Sequence, residues 1–191
     1  MISYTSFTEL STHQVRGRDF EIDVVRRPES GIAVIAPHGG GIERGTSKIA
    51  RAIATDKFNL YLFEGLRSSG NYASLHLTSH LFDEPECLAL ISTCSVVVAI
   101  HGCRGVEHEV LLGGRHRELT GQLSKALFAV KIANKTDGHP FPGTKPRNIC
   151  NRGLTGRGVQ LEITTALRES PAALELAAAV RNTLGRVNGG L

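Results

Sequence analysis

Residues 95–102 read SVVVAIHG, a run of apolar and mostly β-branched side chains that ends at His101 and Gly102. Such a run is typical of a strand that is buried on both faces, as in a parallel sheet covered by helices. Residues 31–41 read GIAVIAPHGGG and repeat the arrangement, because an apolar run is again followed by a histidine and glycines. Two strands of this kind, separated by helical patterns, predict an α/β fold.

The rest of the chain alternates the same two patterns. We predict strands at 31–36, 59–64, 95–100, 108–112, 127–132 and 158–163, and helices at 43–54, 86–93, 115–126 and 171–184. The polar segment 134–157 contains proline and glycine and is too long for an ordinary connection, which is typical of a functional loop. We expect a single domain over residues 1–191, with a mixed, largely parallel sheet flanked by helices.

Composition and charge exclude several classes of protein. The 191 residues include 41% hydrophobic and 21% charged residues, and the formal net charge is +4. No run reaches the roughly 18 apolar residues of a membrane span, and the first 20 residues lack the basic segment and apolar run of a signal peptide. We expect a soluble monomer that is made without export and does not bind membranes.

The aromatic residues argue against a nucleic-acid-binding protein, and the cysteines argue against disulfide and zinc-ribbon frameworks. The chain has no Trp, three Tyr and seven Phe, so it lacks the basic stripe with stacking aromatics that a nucleic-acid-binding protein needs. The four cysteines, Cys87, Cys94, Cys103 and Cys150, form no C-x-x-C pair, and we expect reduced, buried thiols. The mild positive charge favours an anionic partner.

Residues with useful chemistry follow the predicted strands. In open α/β sheets, ligands bind outside the carboxyl ends of the strands. His38 and His101 each follow a predicted strand, Glu162 ends the last one, and Glu43 lies five residues after His38. Two imidazoles, one carboxylate ligand and a second carboxylate that takes a proton from water are the composition of a catalytic zinc site. We assign His38, Glu43 and His101 to a zinc ion, and Glu162 to general-base and general-acid work.

The glycine-rich segment after His38 has three other interpretations. Residues 40–47 lie where a phosphate-binding loop belongs, but Thr46 occupies the position of the required lysine. Residues 38–41 are similar to the oxyanion loop of lipases, yet the chain contains no G-x-S-x-G motif to supply a serine nucleophile. Glu43 has a simpler alternative role, since a carboxylate in the first turn of a helix is favoured by the helix dipole.

Polar residues elsewhere are candidates for substrate contacts. His80 lies in a polar segment, and we expect it to contact the substrate or to support a metal ligand. His76 in the same segment fits a structural or a functional role equally well. Asn151, Arg152 and Arg157 lie in the long loop, where guanidinium groups are suited to gripping a carboxylate. The alternative for these three residues is an ordinary solvated loop.

Four blocks of sequence together resemble one known family. They are residues 36–43 (APHGGGIE), 75–85 (LHLTSHLFDEP), 99–102 (AIHG) and 148–162, which contains NICNRG and GVQLE. In this order they resemble the phage poly-γ-glutamate hydrolases, single-domain zinc enzymes whose fold is similar to that of carboxypeptidase A. The resemblance implies hydrolysis of the γ-amide bonds of capsular poly-γ-glutamate, and it points to His38, Glu43 and His101 as zinc ligands and to Glu162 as the catalytic carboxylate.

The chain departs from the wider carboxypeptidase group in two respects. There the first His and Glu ligands are separated by two residues, whereas four residues separate His38 from Glu43. The pair Asn151 and Arg152 is similar to a carboxypeptidase pair that holds a substrate carboxylate, but it follows the third ligand instead of preceding it.

Two substrate classes and one further type of protein therefore remain open. The anionic partner is either polyglutamate or a small glutamyl substrate, such as an N-acyl amino acid or a cell-wall γ-glutamyl peptide. A phage protein that binds nucleic acid and is not an enzyme is the third possibility. A phage-encoded enzyme would be cytoplasmic or released by host lysis.

Overall fold

The computed structural model describes residues 4–188, so the two ends of the predicted 1–191 domain lie outside the described residues. The strands are β1 (Phe20–Val25), β2 (Ile32–Gly40), β3 (Asn59–Gly65), β4 (Val96–Cys103), β5 (Glu109–Gly114), β6 (Ala133–Lys135) and β7 (Val159–Thr164). The helices are α1 (Phe7–His13), α2 (Thr46–Ala54), α3 (Asn71–Leu75), α4 (Pro85–Ile91), α5 (Arg117–Ala129), α6 (Thr165–Arg168) and α7 (Ala172–Asn188), and a 3-10 turn spans Ile149–Asn151.

The seven strands form one mixed sheet in the order β1-β3-β2-β4-β7-β5-β6. The four pairs β2 with β3, β2 with β4, β4 with β7, and β5 with β6 are parallel, whereas β1 with β3 and β5 with β7 are antiparallel. The predicted α/β fold with a largely parallel sheet is therefore confirmed. In this order β2, β4 and β7 lie side by side, which brings the ends of three predicted strands together.

Both faces of the sheet are covered, as the apolar strand sequences predicted. Side chains alternate between the faces along each strand, so Ile32 and Val34 pack with α2, α5 and α7, while Ala33 and Ile35 pack on the opposite face with α1 and α4. Because each central strand contributes apolar side chains to both layers, these strands carry few polar residues until their last positions. The end of the sheet is therefore where the polar chemistry is concentrated.

One predicted strand is wrong, and several short elements were not predicted. The strand predicted at 127–132 is wrong, because α5 continues to Ala129 and Leu127 completes its buried face with Leu119 and Leu123. A turn with Lys131 at φ 61° then leads to the short strand β6. Strands β1 and β6 and helices α1, α3 and α6 were not predicted. The sequence FEIDVV of β1 alternates apolar and acidic residues, as expected for an edge strand rather than for a buried one.

A bulge near the end of β2 sets the direction of His38. Ala36 pairs with Leu62 and Gly39 with Glu64, so β2 has one more residue than β3 between these pairs. Without this extra residue His38 would lie on the same face as Ala36, which packs with α2 and α7. Because a bulge interrupts the alternation of side chains, His38 instead reaches the face on which His101 lies.

The cysteines and the helices can be compared with the predictions made from composition. All four cysteines are free thiols and are buried, as predicted. Among residues 4–188, no helix combines the length and apolar character that crossing a bilayer would require.

The packing of α7 gives a direct test of the core. Leu176 is fully buried against the sheet, whereas Leu174 on the same helix is 57% exposed. We expect Leu176→Ala to lower the free energy of unfolding by about 2–5 kcal/mol, because the substitution removes apolar contacts and leaves a cavity. Leu174→Ala should change it by less than about 0.5 kcal/mol. Urea unfolding of both variants measures the difference, and equal losses would contradict the assignment of α7 to the core.

Candidate active site

His101 and Glu162 lie side by side at the carboxyl end of the sheet. They are direct partners in the parallel pairing of β4 with β7. Partners on neighbouring strands face the same side of a sheet, and here that side is opposite to the layer that contains Ile100 and Leu161. His101 is 1% exposed and Glu162 8% exposed, so both side chains are held within the protein.

Glu43 reaches the same place through a turn that precedes α2. The Glu43 backbone N–H donates to the carbonyl of His38 at 2.9 Å, and the Thr46 hydroxyl donates to the carbonyl of Glu43 at 2.8 Å. Gly45, at φ 92°, occupies the left-handed region that favours glycine and directs the chain into the helix. Glu43 therefore lies before α2, not in its first turn, and the dipole interpretation of this residue is wrong. The four-residue spacing from His38 is the length of this turn.

The carboxylate of Glu43 bridges two strand ends. Its Oε2 accepts a hydrogen bond from the Gly102 backbone N–H at 2.7 Å, and its Oε1 lies 3.1 Å from His38 Nδ1. His101 Nδ1 lies 3.1 Å from His38 Nδ1 and 3.8 Å from Glu43 Oε2. The three predicted ligands are thus brought together around one point.

A fourth donor, His76, adjoins this group. His76 Nε2 lies 3.6 Å from Glu43 Oε1, and its ring stacks between those of His38 and Tyr72, with centroid separations of 4.1 and 4.4 Å. His38, Glu43 and His76 each offer a donor atom within 4.8 Å of the others. Two triads suited to a metal ion therefore share His38 and Glu43 and differ in their third imidazole.

The hydrogen bonds of His38 fix which of its nitrogen atoms is available. Nε2 lies 2.9 Å from the carbonyl oxygen of Leu77, which can only accept, so Nε2 carries the proton and the neutral ring has its lone pair on Nδ1. That lone pair faces a carboxylate oxygen of Glu43 and another imidazole nitrogen, both at 3.1 Å. Such an arrangement needs a positive charge between the donors.

The charges within the cluster agree with this requirement. Burial acts to raise the pKa of Glu43, but His38 and His101 outweigh it and hold that pKa well below its usual range. Burial acts to lower the pKa of His101, but the hydrogen bond to Glu43 and the charges of Glu162 and Glu43 together outweigh it and raise that pKa. Burial lowers the pKa of His76 to about 3, helped by the neighbouring His38, so His76 is neutral at pH 7.

The donors fit a divalent metal ion. A tetrahedral ion with bonds of 2.0–2.1 Å to nitrogen and oxygen places its ligand atoms about 3.3 Å apart. His38 Nδ1 lies 3.1 Å from Glu43 Oε1 and 3.1 Å from His101 Nδ1, which is close to this value. His101 Nδ1 lies 3.8 Å from the other carboxylate oxygen, Glu43 Oε2. The carbonyl of Leu77 and the Ser79 hydroxyl, 3.4 Å from His101 Nε2, orient the rings from behind, as is usual for metal-binding histidines.

A wide cavity of about 1010 Å³ opens over the cluster. Its lining includes His38, Glu43, His76, His101 and Glu162. Burial raises the pKa of Glu162, against the opposing effect of His101. A carboxyl group of raised pKa beside a potential metal site can both accept and return a proton.

Comparison with known proteins agrees with this geometry. A family model described as poly-gamma-glutamate hydrolase matches residues 4–184. The chain belongs to the poly-gamma-glutamate hydrolase family. This membership confirms the family resemblance of the four sequence blocks.

One curated relative and two solved structures illustrate this similarity. UPF0714 protein YndL of Bacillus subtilis (strain 168) is 37% identical over 171 residues, which are 87% of this chain and 66% of YndL. A solved bacteriophage poly-gamma-glutamate hydrolase is 31% identical with a TM-score of 0.93, and each chain is covered completely. A zinc-free apo form of YNDL is 30% identical with a TM-score of 0.89, covering 96% of this chain and 98% of that one. The chain spans 60–71% of the length of the curated relatives that it matches.

The four residues that were predicted to bind substrate do not line the cavity over the His38, Glu43 and His101 cluster. Among the described residues, those that line the cavity do not include His80, Asn151, Arg152 or Arg157. Arg152 and Arg157 are exposed, and Arg152 donates to the carbonyl of Phe82. The structure therefore brings together the predicted metal ligands and the predicted base, and it does not bring the predicted substrate residues to them.

Asn151 instead organises the long loop. Its amide nitrogen donates to the carbonyls of Gly143 and Lys145, and its amide oxygen accepts from the N–H groups of Arg115 and Gly158. The side chain is buried at 3% exposure. One amide thus joins the loop to the start of β7 and to the segment that follows β5.

Tyr72 and Arg168 are among the cavity residues that the sequence analysis did not identify. Tyr72 lies in the unpredicted helix α3, and Arg168 follows the end of β7 by four residues. The position of Arg168 just beyond a strand end, where ligands bind, was the available signal.

The hydrogen bonds of Asn151 predict a structural role. We expect Asn151→Ala to lower the free energy of unfolding by about 2 kcal/mol or more, because buried backbone groups would lose their partners. Asn182→Ala, at an exposed position of α7, is the matched control and should change it by less than about 0.5 kcal/mol. Chemical denaturation compares the two. An unchanged stability of Asn151→Ala would leave substrate binding as the better account of this residue.

Proposed function

We propose that this protein is a zinc-dependent hydrolase that cleaves the γ-glutamyl amide bonds of poly-γ-glutamate. The observation that carries the proposal is the meeting of His38, Glu43 and His101 beside Glu162 in an open cavity. Family membership supports the substrate, and the zinc-free form of the related YNDL supports the identity of the metal. A single domain that acts as a monomer is part of the same proposal.

His101 is the third ligand in this proposal. Its Nδ1 lies 3.1 Å from His38 Nδ1, and its other nitrogen adjoins Ser79, so the ring is already oriented. His76 is 22% exposed at the side chain and stacks on Tyr72 at the cavity wall, where it can contact substrate or water. Three protein ligands leave a fourth position open, as catalytic zinc sites require.

The chain's own residues account for the proton transfers. Held by His38, Glu43 and His101, a zinc ion would lower the pKa of a bound water to near 7 and would supply positive charge. Glu162, in the wall of the same cavity, would accept a proton from the water that attacks the γ-amide carbon. Burial, which raises the pKa of Glu162, then allows the same carboxyl group to hold the proton and deliver it to the nitrogen of the leaving amine. Glu43 stays ionised throughout, because its pKa is held low.

The open margin of the cavity favours a polymer over a small molecule. Sites for small ligands enclose about 300–1,000 Å³ and bury most of the ligand. The cavity here, at about 1010 Å³, matches the upper end of that range, but exposed residues such as Arg104 and Val106 leave its margin open. A chain of γ-linked glutamates can therefore extend beyond the reacting bond. Comparing hydrolysis of the polymer with that of N-acylglutamate and a short cell-wall γ-glutamyl peptide tests this choice of substrate.

Metal content separates the two possible triads. We expect about one zinc per purified chain, and loss of that zinc in His38→Ala and His101→Ala, because each removes one of three ligands. His76→Ala and the exposed control His108→Ala should retain it. Elemental analysis after dialysis is the measurement. Loss of zinc in His76→Ala with retention in His101→Ala would exchange the third ligand, and wild-type protein that takes up no zinc would refute the metal site.

Glu162 is tested by removing its acid-base chemistry alone. Glu162→Gln should keep its zinc and lower turnover of poly-γ-glutamate by about 10²–10⁴-fold, because the amide cannot accept the proton. Glu175→Gln on the exposed side of α7 makes the same chemical change away from the cavity and should turn over normally. Polymer length measured over time gives the rates. Turnover of the Glu162 variant at the wild-type rate would rule out its role as the base.

A further inference from the structure

Arg168 is a cation held in a fixed position in the wall of the cavity. Its Nε donates to the carbonyl of Arg44 at 2.7 Å, and its Nη1 donates to the carbonyl of Cys103 at 3.1 Å and to that of Ile163. Three backbone carbonyls therefore orient the guanidinium group. Within residues 4–188, Nη2 makes no hydrogen bond, although the residue lines the cavity.

The guanidinium group lies directly beside the proposed reaction centre. It packs on Gly102, where a Cβ atom would come within 2.5 Å of Arg168 Cζ. Gly102 follows His101 and donates its N–H to Glu43. Arg168 lines the same cavity as Glu43 and Glu162. Burial lowers the pKa of Arg168, whereas the nearby acidic groups, Glu43 foremost, act to raise it. A larger residue than glycine at position 102 would displace the cation from this position.

The other cations of the cavity are not held in this way. Arg44 and Arg104 also line it, but both side chains are exposed. A mobile, exposed cation loses conformational entropy when it binds an anion, whereas an oriented guanidinium group loses less. Arg168 is therefore the cation best placed to recognise an anion at a defined distance from the reacting bond.

Poly-γ-glutamate presents such an anion at every residue. Because each glutamate is linked through its side-chain carboxyl group, its α-carboxylate stays free. One α-carboxylate lies on the acyl side of each amide bond, and another lies on the amine side. An α-linked peptide has no carboxylate at these positions. A cation that binds one of these α-carboxylates therefore selects the γ-linkage.

We infer that Arg168 binds a free α-carboxylate next to the bond that is cleaved, through its unpaired Nη2, and thereby selects γ-linked glutamate. This inference rests on the proposed function and names the residue that determines its specificity. Arg168 takes the role that the sequence suggested for Asn151, Arg152 and Arg157, which do not line the cavity.

The test compares substrates within each protein preparation. Two γ-glutamyl oligomers are made in which one α-carboxylate, on either the acyl or the amine side of the central bond, is replaced by a carboxamide. One of the two oligomers lacks the α-carboxylate that Arg168 binds. For that oligomer, wild-type kcat/KM should be about ten- to hundredfold lower than for the unmodified oligomer, since a charge-assisted hydrogen bond is lost. In Arg168→Gln the ratio of kcat/KM for the unmodified oligomer to kcat/KM for this modified oligomer should fall to about one. The same ratio for the other modified oligomer should stay at its wild-type value.

Controls separate recognition from a structural role of Arg168. The ratio of two substrates on one preparation does not depend on how much protein is folded, and zinc content reports whether the metal site is intact. Arg168→Lys keeps the charge and should retain part of the discrimination if Arg168→Gln folds poorly. Arg117→Gln removes an exposed charge elsewhere on the protein and should keep the wild-type ratios.

The outcomes distinguish this inference from the proposed function. Wild-type ratios near one for both oligomers, or unchanged ratios in both Arg168 variants, would overturn the role of Arg168 while leaving hydrolysis of poly-γ-glutamate intact. A wild-type protein that is loaded with zinc and cleaves no γ-glutamyl oligomer would overturn the proposed function and this inference together.

Discussion

The carboxylate of Glu43 connects the two strand ends on which the site is built. One oxygen accepts the N–H of Gly102 in β4, and the other faces His38 at the end of β2. A buried carboxylate is costly unless it is hydrogen-bonded and paired with positive charge, and here two imidazoles and a backbone donor surround it. The cluster is therefore stable only with a cation or protons among its donors. This constraint is what makes the end of the sheet a site for a metal ion.

Regular strand pairing positions two of the site residues, and a bulge in β2 directs the side chain of a third. Parallel pairing of β4 with β7 puts His101 beside Glu162 without further adjustment. His38 reaches them only because the bulge between Ala36 and Gly39 changes the face on which it lies. The glycines after His38 allow this bulge. Gly39 and Gly40 pack so closely against β3 that a Cβ atom on either would come within 3 Å of the backbone of β3. The site thus depends on a local break in an otherwise regular strand.

The sequence predicted the parts of the site that follow from regular structure. His38, His101 and Glu162 were identifiable because each stands where an apolar strand ends, and family resemblance agreed with that choice. The bulge was not predictable, because it depends on how β2 pairs with β3. The place of His76 was left open, since it comes from the stacking of rings between Tyr72 and His38. The loop residue Asn151 was predicted from its charged neighbours, whereas in the structure its amide bonds to the backbone.

The most direct test of the account is a titration of zinc into metal-free protein while the mean length of poly-γ-glutamate is followed. Three ligands around one point predict hydrolysis that rises with added zinc and levels off at about one zinc per chain. Metal-free protein that shortens the polymer at the full rate, or fully loaded protein that does not shorten it, would contradict the account.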